Sequence, residues 1–386
     1  MGAWPRSPVP LARRRQLEAR QGPQGREIEL AGERLLNFCS NDYLGLANDP
    51  RLVAAAQVAL QTHGVGAGAS ALLSGWTVLH EELCAALADF LQRERALVFS
   101  SGYLANLGLI STFADRHTEI FHDRLNHASL IDGVRLAGAR SSRYRHADAG
   151  DLGERLTRSN APRKLIVTDT VFSMDGDEAP VAAIAALASD AGALLACDDA
   201  HGFGVLAGGR GHLLANGLDE TAVPLLMVTF GKALGAGGAA IAGPAHLIDA
   251  LLQQARPFIF DTTLPPVMVA AALAGLRVLE KDPSPVARLE RNVALFCSAL
   301  AEAGLPATGS TGPIQPIVLG SDERSLAAAA ALRDRGLYVR AVRPPTVPEG
   351  TSRLRVCLSA AHEPEDIARL VAALSATLTE LAAIPA

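Results

Sequence analysis

"KLIVTDTVFSMDGDEAPVAAIAALASDAGALLACDD", residues 164–199, sets two short apolar runs on either side of an Ala-rich stretch. Each run, "KLIVTD" (164–169) and "ALLACDD" (193–199), is apolar without polar alternation and closes on aspartate. That is the pattern of a strand buried on both faces. The Ala-rich stretch between them reads as a helix returning the chain over the sheet, so that the two strands lie parallel. The alternation continues outward through "ALVFSS" (96–101), "EIFHD" (119–123), "LLMVTFG" (225–231) and "GGAAIAG" (237–243). The expected fold is therefore α/β with a mostly parallel, doubly wound sheet. Ligands bind such sheets beyond the carboxyl ends of the strands. The polar residues that follow the runs (100–103, 123–127, 170–175, 198–201 and 229–232) are thus expected to face one crevice.

With 386 residues, the chain exceeds the roughly 250–300 at which a single core stops growing, which predicts two unequal domains. "LEKDPSPVARLE" (279–290) interrupts the helical pattern with two prolines and marks the boundary. Three divisions are expected: an N-terminal segment 1–48 that packs with the small domain, a large domain 49–280, and a small α+β domain 281–386. The small domain has strands at "IQPIVLG", "LYVRAVRPP" and "RLRVCLSA" and a closing helix. "DPRLVAAAQVALQTHG" (49–64) carries an aspartate cap, a first-turn proline and a terminal glycine, and "LARRRQLEAR" (11–20) reads as a short helix.

Hydrophobic residues make up 49% of the chain but aromatics only 4%, and the net charge is −5, with no basic patch beyond Arg13, Arg14 and Arg15. Nucleic acid is not an expected partner. The absence of an apolar run of about 18 residues argues against a membrane span. Five widely spaced cysteines fit neither a disulfide framework nor a metal site and suit a reducing cytoplasm.

Within "VTFGKALGAGG" (228–238), Lys232 is the one charged residue in a small, apolar run. It either snorkels to water beside a glycine turn or is held for chemistry. Together with an aspartate ending a buried strand, nearby histidines and a Ser-Gly turn entering a helix, it suits pyridoxal phosphate. Lysine forms a Schiff base with that cofactor, a carboxylate holds its pyridinium nitrogen, and helix N-terminal amides take its phosphate. "GVGAGASALLSG" (64–75) follows a helix rather than a strand, so it is not read as a dinucleotide fingerprint.

"SNDYLGL" (40–46), "SSGYLAN" (100–106), "DRLNHASLIDG" (123–133), "FSMDGD" (172–177), "DDAHGFG" (198–204), "VTFGKALG" (228–235) and "RPPTVPEGTSRLRVCLSAAH" (343–362) resemble, in order, the α-oxoamine synthase family of fold type I. The resemblance implies a seven-stranded large-domain sheet, pyridoxal phosphate and an obligate homodimer. It makes Lys232 the Schiff-base lysine, Asp198 the partner of the pyridine nitrogen, His201 the ring-oxygen contact and His127 the residue stacked on the ring. It places Gly102, Tyr103, Ser173 and Thr229 on the cofactor, and Thr262 on the phosphate of the neighbouring subunit. It places Arg355 on the amino-acid carboxylate, Asn41 and Thr346 in loops lining the site, and Arg13 near the acyl chain. Asp261 stands where the pattern expects serine, and Arg353 is expected to be a surface strand residue. Ala71 occupies a place where relatives acting on glycine, and some that use a pimeloyl donor, carry arginine. The implied reaction is a decarboxylative condensation of L-alanine with a pimeloyl thioester, on CoA or a carrier protein, the alternatives being members that act on glycine or serine.

Overall fold

The computed structural model describes residues 9–383, so the first eight residues of the expected N-terminal segment and the last three of the small domain lie outside the described residues. By compactness the chain divides into two units: the described residues up to Tyr43 with Met174–Gly176 and the chain from Ala287 onward, and Leu44–Ser173 with Asp177–Val286. No helix among the described residues is long and apolar enough to cross a membrane.

The larger unit is built on seven strands: β1 (Arg95–Phe99), β2 (Thr118–Asp123), β3 (Arg140–Tyr144), β4 (Arg163–Asp169), β5 (Leu194–Asp198), β6 (Leu225–Thr229) and β7 (Ala239–Gly243). Their order is β1-β7-β6-β5-β4-β2-β3, with β7 antiparallel to both neighbours and the remaining adjacent pairs parallel. Leu97, Ile120, Leu165, Val167, Ala196, Leu225 and Ile241 share one core with Leu109, Ile110, Leu130, Val134, Ile248 and Leu251 from the helices. The register sets Asp169 opposite Asp198, so two strands end in carboxylates side by side.

Six strands lie where the apolar runs predict them. The seventh, β3, is polar and mostly exposed, as an edge strand that must resist pairing with other chains tends to be. The helix α1 (Pro50–His63) begins as expected: Asp49 accepts the Arg51 N–H at 2.8 Å, Pro50 is its first residue, and Gly64 ends it at φ +77°. The predicted helix at 11–20 is corrected to a single 3₁₀ turn at Leu11–Arg13 followed by extended chain. Its residues are largely exposed, and so short a segment with no packed apolar face does not hold a helix.

In the smaller unit, the strands Arg20–Gln21, Glu27–Leu30, Glu33–Asn37 and Leu337–Tyr338 form one sheet, and Ile314–Gly320, Ser352–Cys357 and Arg340–Val342 form another. His362 joins the two ends of the chain. Its Nδ1 accepts the Ser359 N–H at 3.0 Å, its Nε2 lies 3.0 Å from the Asn37 carbonyl, and its ring centre packs 4.2 Å from that of Phe38. Burial holds this ring neutral and lowers it to about 4.

Candidate active site

The turn after β6 presents Lys232. Phe230 N–H donates to the Gly238 carbonyl at 2.9 Å and Gly235 N–H to the Lys232 carbonyl at 3.0 Å, which closes the loop tightly. Gly235 sits at φ +64°, where a Cβ would come within 2.4 Å of the Ala47 nitrogen, so only glycine fits. Lys232 Nζ lies 2.8 Å from His201 Nε2.

Beside it, Asp198 ends β5 and is 4% exposed. One of its oxygens accepts the Asn106 amide at 2.7 Å and the other the Ala200 N–H at 2.9 Å. Asn106 also donates to Ser129 Oγ at 2.9 Å, and Ser129 Oγ lies 2.7 Å from His127 Nδ1. His127 caps the helix Ala128–Leu136, its Nδ1 accepting the Ser129 N–H at 3.2 Å. An accepting Nδ1 belongs to a neutral ring. Burial, with the Lys232 ammonium adding to it, holds His127 below the usual imidazole range against the pull of Asp198. Asp169 accepts the His127 N–H at 2.6 Å, and burial together with Asp198 raises it well above the usual carboxylate range.

These groups enclose a pocket of about 160 Å³ lined by Gly102, Tyr103, Asn106, His127, Ser129, Asp169, Asp198, His201, Thr229 and Lys232 among others. The helix Gly102–Phe113 starts at its rim, with Ser101 as cap. A larger cavity of about 540 Å³ between Trp76, Cys84, Leu252 and Phe258 has neither lysine nor histidine in its lining. Chemistry rather than size therefore selects the smaller one.

Seven residues expected from sequence thus converge: Lys232, Asp198, His127, His201, Gly102, Tyr103 and Thr229. Ser173 and Thr262 lie outside this lining. Thr262 follows Asp261, whose carboxylate meets the Ser100 hydroxyl. Asn106, Ser129 and Asp169 were not singled out from sequence, although Asn106 stands one helical turn after Gly102 and Asp169 ends its strand as Asp198 does. Asp199 turns away from the pocket. It accepts the His212 N–H at 2.8 Å and the Thr170 hydroxyl, and burial raises it to about 6 against those bonds.

The remaining expected residues belong to the smaller unit. Arg355 is buried, donating to Asn41 Oδ1 at 3.1 Å and Cys357 Sγ at 2.8 Å. Arg353 is corrected from a surface residue to one 3% exposed, ion-paired to Asp175, because Ser352–Cys357 is the central strand of its sheet. Arg13 and Thr346 line one cavity with Arg15, Arg340 and Arg343. Arg13 is tied to Asp322 at 2.8 Å and to Glu349, while Arg15 reaches Thr346 Oγ1 at 3.2 Å. Among the described residues no group of His, Cys, Asp and Glu could hold a metal ion.

The family model "Aminotransferase class I and II" matches residues 33–374, and the chain belongs to that family, with the large seven-stranded sheet and smaller domain of fold type I. Its relatives include the 8-amino-7-oxononanoate synthases of Cellvibrio japonicus, 47% identical over 96% of this chain and 93% of that one, and of Methylococcus capsulatus, 49% identical over 92% of each. Among solved structures, a serine palmitoyltransferase from S. paucimobilis with PLP bound matches with a TM-score of 0.91 at 33% identity over 95% of this chain and 94% of that one. An 8-amino-7-oxononanoate synthase from Francisella tularensis matches with a TM-score of 0.77 at 28% identity over 90% and 98%.

Proposed function

We infer that this chain is a pyridoxal phosphate-dependent acyltransferase that condenses L-alanine with a pimeloyl thioester to give 8-amino-7-oxononanoate, CO2 and the free thiol, a step of biotin biosynthesis. The observation that carries this reading is the Lys232–His201–Asp198–His127 pocket in a chain 47–49% identical to synthases of that product over more than 90% of its length. The closer backbone match to serine palmitoyltransferase does not redirect it, because one fold hosts several substrates and backbone similarity does not read them.

The donor set suits the cofactor: an amine, a buried carboxylate, an imidazole, and the first amides of a helix. Bound there, pyridoxal phosphate supplies an aldehyde for the amino acid and a ring that draws electron density from its Cα. Asp198, its geometry fixed by Asn106 and Ala200, would hold the pyridinium nitrogen. His201, 2.8 Å from Lys232 Nζ, would hold the ring oxygen, and the neutral ring of His127 would cover the ring face. Gly102 and Tyr103 would offer backbone amides to the phosphate, while Ser173, Thr229 and, from a second copy of the chain, Thr262 would add hydroxyls. Lys232 Nζ takes the proton from alanine Cα. Overall a C–C bond forms between that carbon and the acyl carbon, the thiol leaves, and the alanine carboxylate departs as CO2. Arg355 pairs with that carboxylate beforehand, Asn41 and Thr346 line the substrate, and Arg13 approaches the acyl chain. The active form is a cytoplasmic homodimer.

The test is product formation by purified holoenzyme given pimeloyl-CoA or the pimeloyl carrier protein with L-alanine, glycine or L-serine. Alanine-dependent 8-amino-7-oxononanoate supports the reading. Turnover of glycine, as in 2-amino-3-ketobutyrate CoA ligase, or of serine, as in serine palmitoyltransferase, overturns the substrate assignment.

A further inference from the structure

His146 lies outside the pocket and has no part in the chemistry above. It follows β3, and its ring is held from both sides: Nδ1 is 3.0 Å from Asp123 Oδ1 and Nε2 is 2.7 Å from Asp177 Oδ2. A neutral imidazole has one N–H and can satisfy only one of these carboxylates, whereas an imidazolium donates to both. Asp123 ends β2 and is 1% exposed, and its oxygens also accept the Leu125 and Ala147 N–H groups at 2.7 Å each. The turn that Asp123 opens leads directly to His127. Along it, the Arg124 N–H donates to the Tyr144 carbonyl at 3.1 Å, which stitches the turn to β3, and the Asn126 amide donates to the Val167 carbonyl at 2.9 Å.

On the other side, Asp177 closes the hairpin 171–178, in which Phe172 N–H donates to the Asp177 carbonyl at 2.9 Å and Val171 pairs with Glu178. The Phe172 ring meets His146 edge-on at 4.3 Å. Asp177 Oδ1 is buried and meets no hydrogen-bond donor among the described residues, while its side chain as a whole is 36% exposed, so losing His146 would remove the protein donor on Oδ2. Ala147, next to His146, holds a left-handed φ of +50°, a conformation that alanine disfavours and that its bond to Asp123 sustains.

We propose that His146 is a positioning residue for the reaction: as an imidazolium between Asp123 and Asp177 it locks the hairpin that carries Ser173 to the turn that carries His127. This rests on the functional reading above. Although burial favours the neutral ring, the hydrogen bonds to Asp123 and Asp177 raise it to about 9. Those two carboxylates are the charged groups bonded to the ring from β2 and the hairpin. On its own segment, Arg145 and Asp148 pair with each other at 2.8 Å.

The experiment compares wild-type holoenzyme with His146→Gln and Asp177→Asn. It follows the His146 ring by NMR titration without substrate, cofactor affinity by fluorescence, and kcat and KM for alanine across pH. The wild-type ring should stay protonated to about pH 9, with kcat/KM declining in step. His146→Gln should lower kcat/KM about tenfold, as expected for a small misplacement of reacting groups, and lose that alkaline limb. Asp177→Asn should move the ring titration and the limb downward together. A ring that titrates near its ordinary value, a limb that stays in place in both variants, or a fall in melting temperature without kinetic change would overturn the proposal. If wild-type enzyme takes up no pyridoxal phosphate or does not condense alanine, the functional reading falls and takes this role with it. A normal wild type with unchanged variants overturns the clamp alone.

Discussion

The pocket of the larger unit and the Arg355 cluster of the smaller one are both buried and polar, but they are built from different materials. The pocket gathers groups that can gain or lose a proton: Lys232, His201, His127, Asp198 and Asp169. Arg355 instead meets the Asn41 amide oxygen and the Cys357 thiol, and burial raises the nearby Cys39 thiol to about 12, which keeps it neutral. Movable protons serve bond making and breaking, whereas a fixed planar cation serves recognition of a carboxylate. Substitutions in the two places should therefore separate in kcat and KM.

The largest effect is expected at Lys232. Lys232→Ala should lower kcat by about a thousandfold or more, read as product formed per enzyme, and retention of more than a tenth of the activity would contradict its role. Asp198→Asn should cost about a hundredfold in kcat, with the protein still folded, because it removes the charge while leaving a side chain of similar shape. Arg355→Lys should raise the KM for alanine about tenfold with kcat little changed, since an ammonium cannot reproduce the bidentate fork. A fall in kcat alone would erase the distinction between the two regions.

The smallest effect concerns stability. His362 is held neutral with a folded value of about 4, below the unfolded imidazole at about 6.5. The folded state binds fewer protons than the unfolded one in that interval. The stabilisation is present above about pH 6.5 and is lost as pH falls toward 4. Thermal melts between those limits should show this loss in wild type and a shallower one in His362→Gln. His146 has the opposite sign: its contribution is complete below about pH 6.5 and is lost as pH rises through about 9. His362 is buried and His146 largely so, at 16% side-chain exposure, and their partners decide the sign: two carboxylates for His146, backbone groups for His362.

Much of this was legible from the chain. Apolar runs ending in Asp198 and Thr229 announced parallel strands and a crevice at their ends, and an isolated lysine in a glycine turn announced a site. The polar edge strand β3 was not, because its face carries no apolar periodicity. Nor was the burial of Arg353, since a strand's place in its sheet is a tertiary fact. Asn106 and Ser129 connect Asp198 to His127 across 92 and 23 residues from Asn106, a separation that local spacing cannot reveal. Residues 174–176 group with the smaller unit although the chain on either side belongs to the larger, which no composition shift marks.

The most direct measurement gives the purified holoenzyme L-alanine, glycine and L-serine in separate reactions with pimeloyl-CoA, beside Lys232→Ala, and quantifies CO2 and the amino-ketone product. Alanine with wild-type enzyme should yield the two in equal amounts, and no other combination should yield either. Product from serine or glycine in place of alanine, or more than a tenth of the wild-type product from Lys232→Ala, would contradict the assignment.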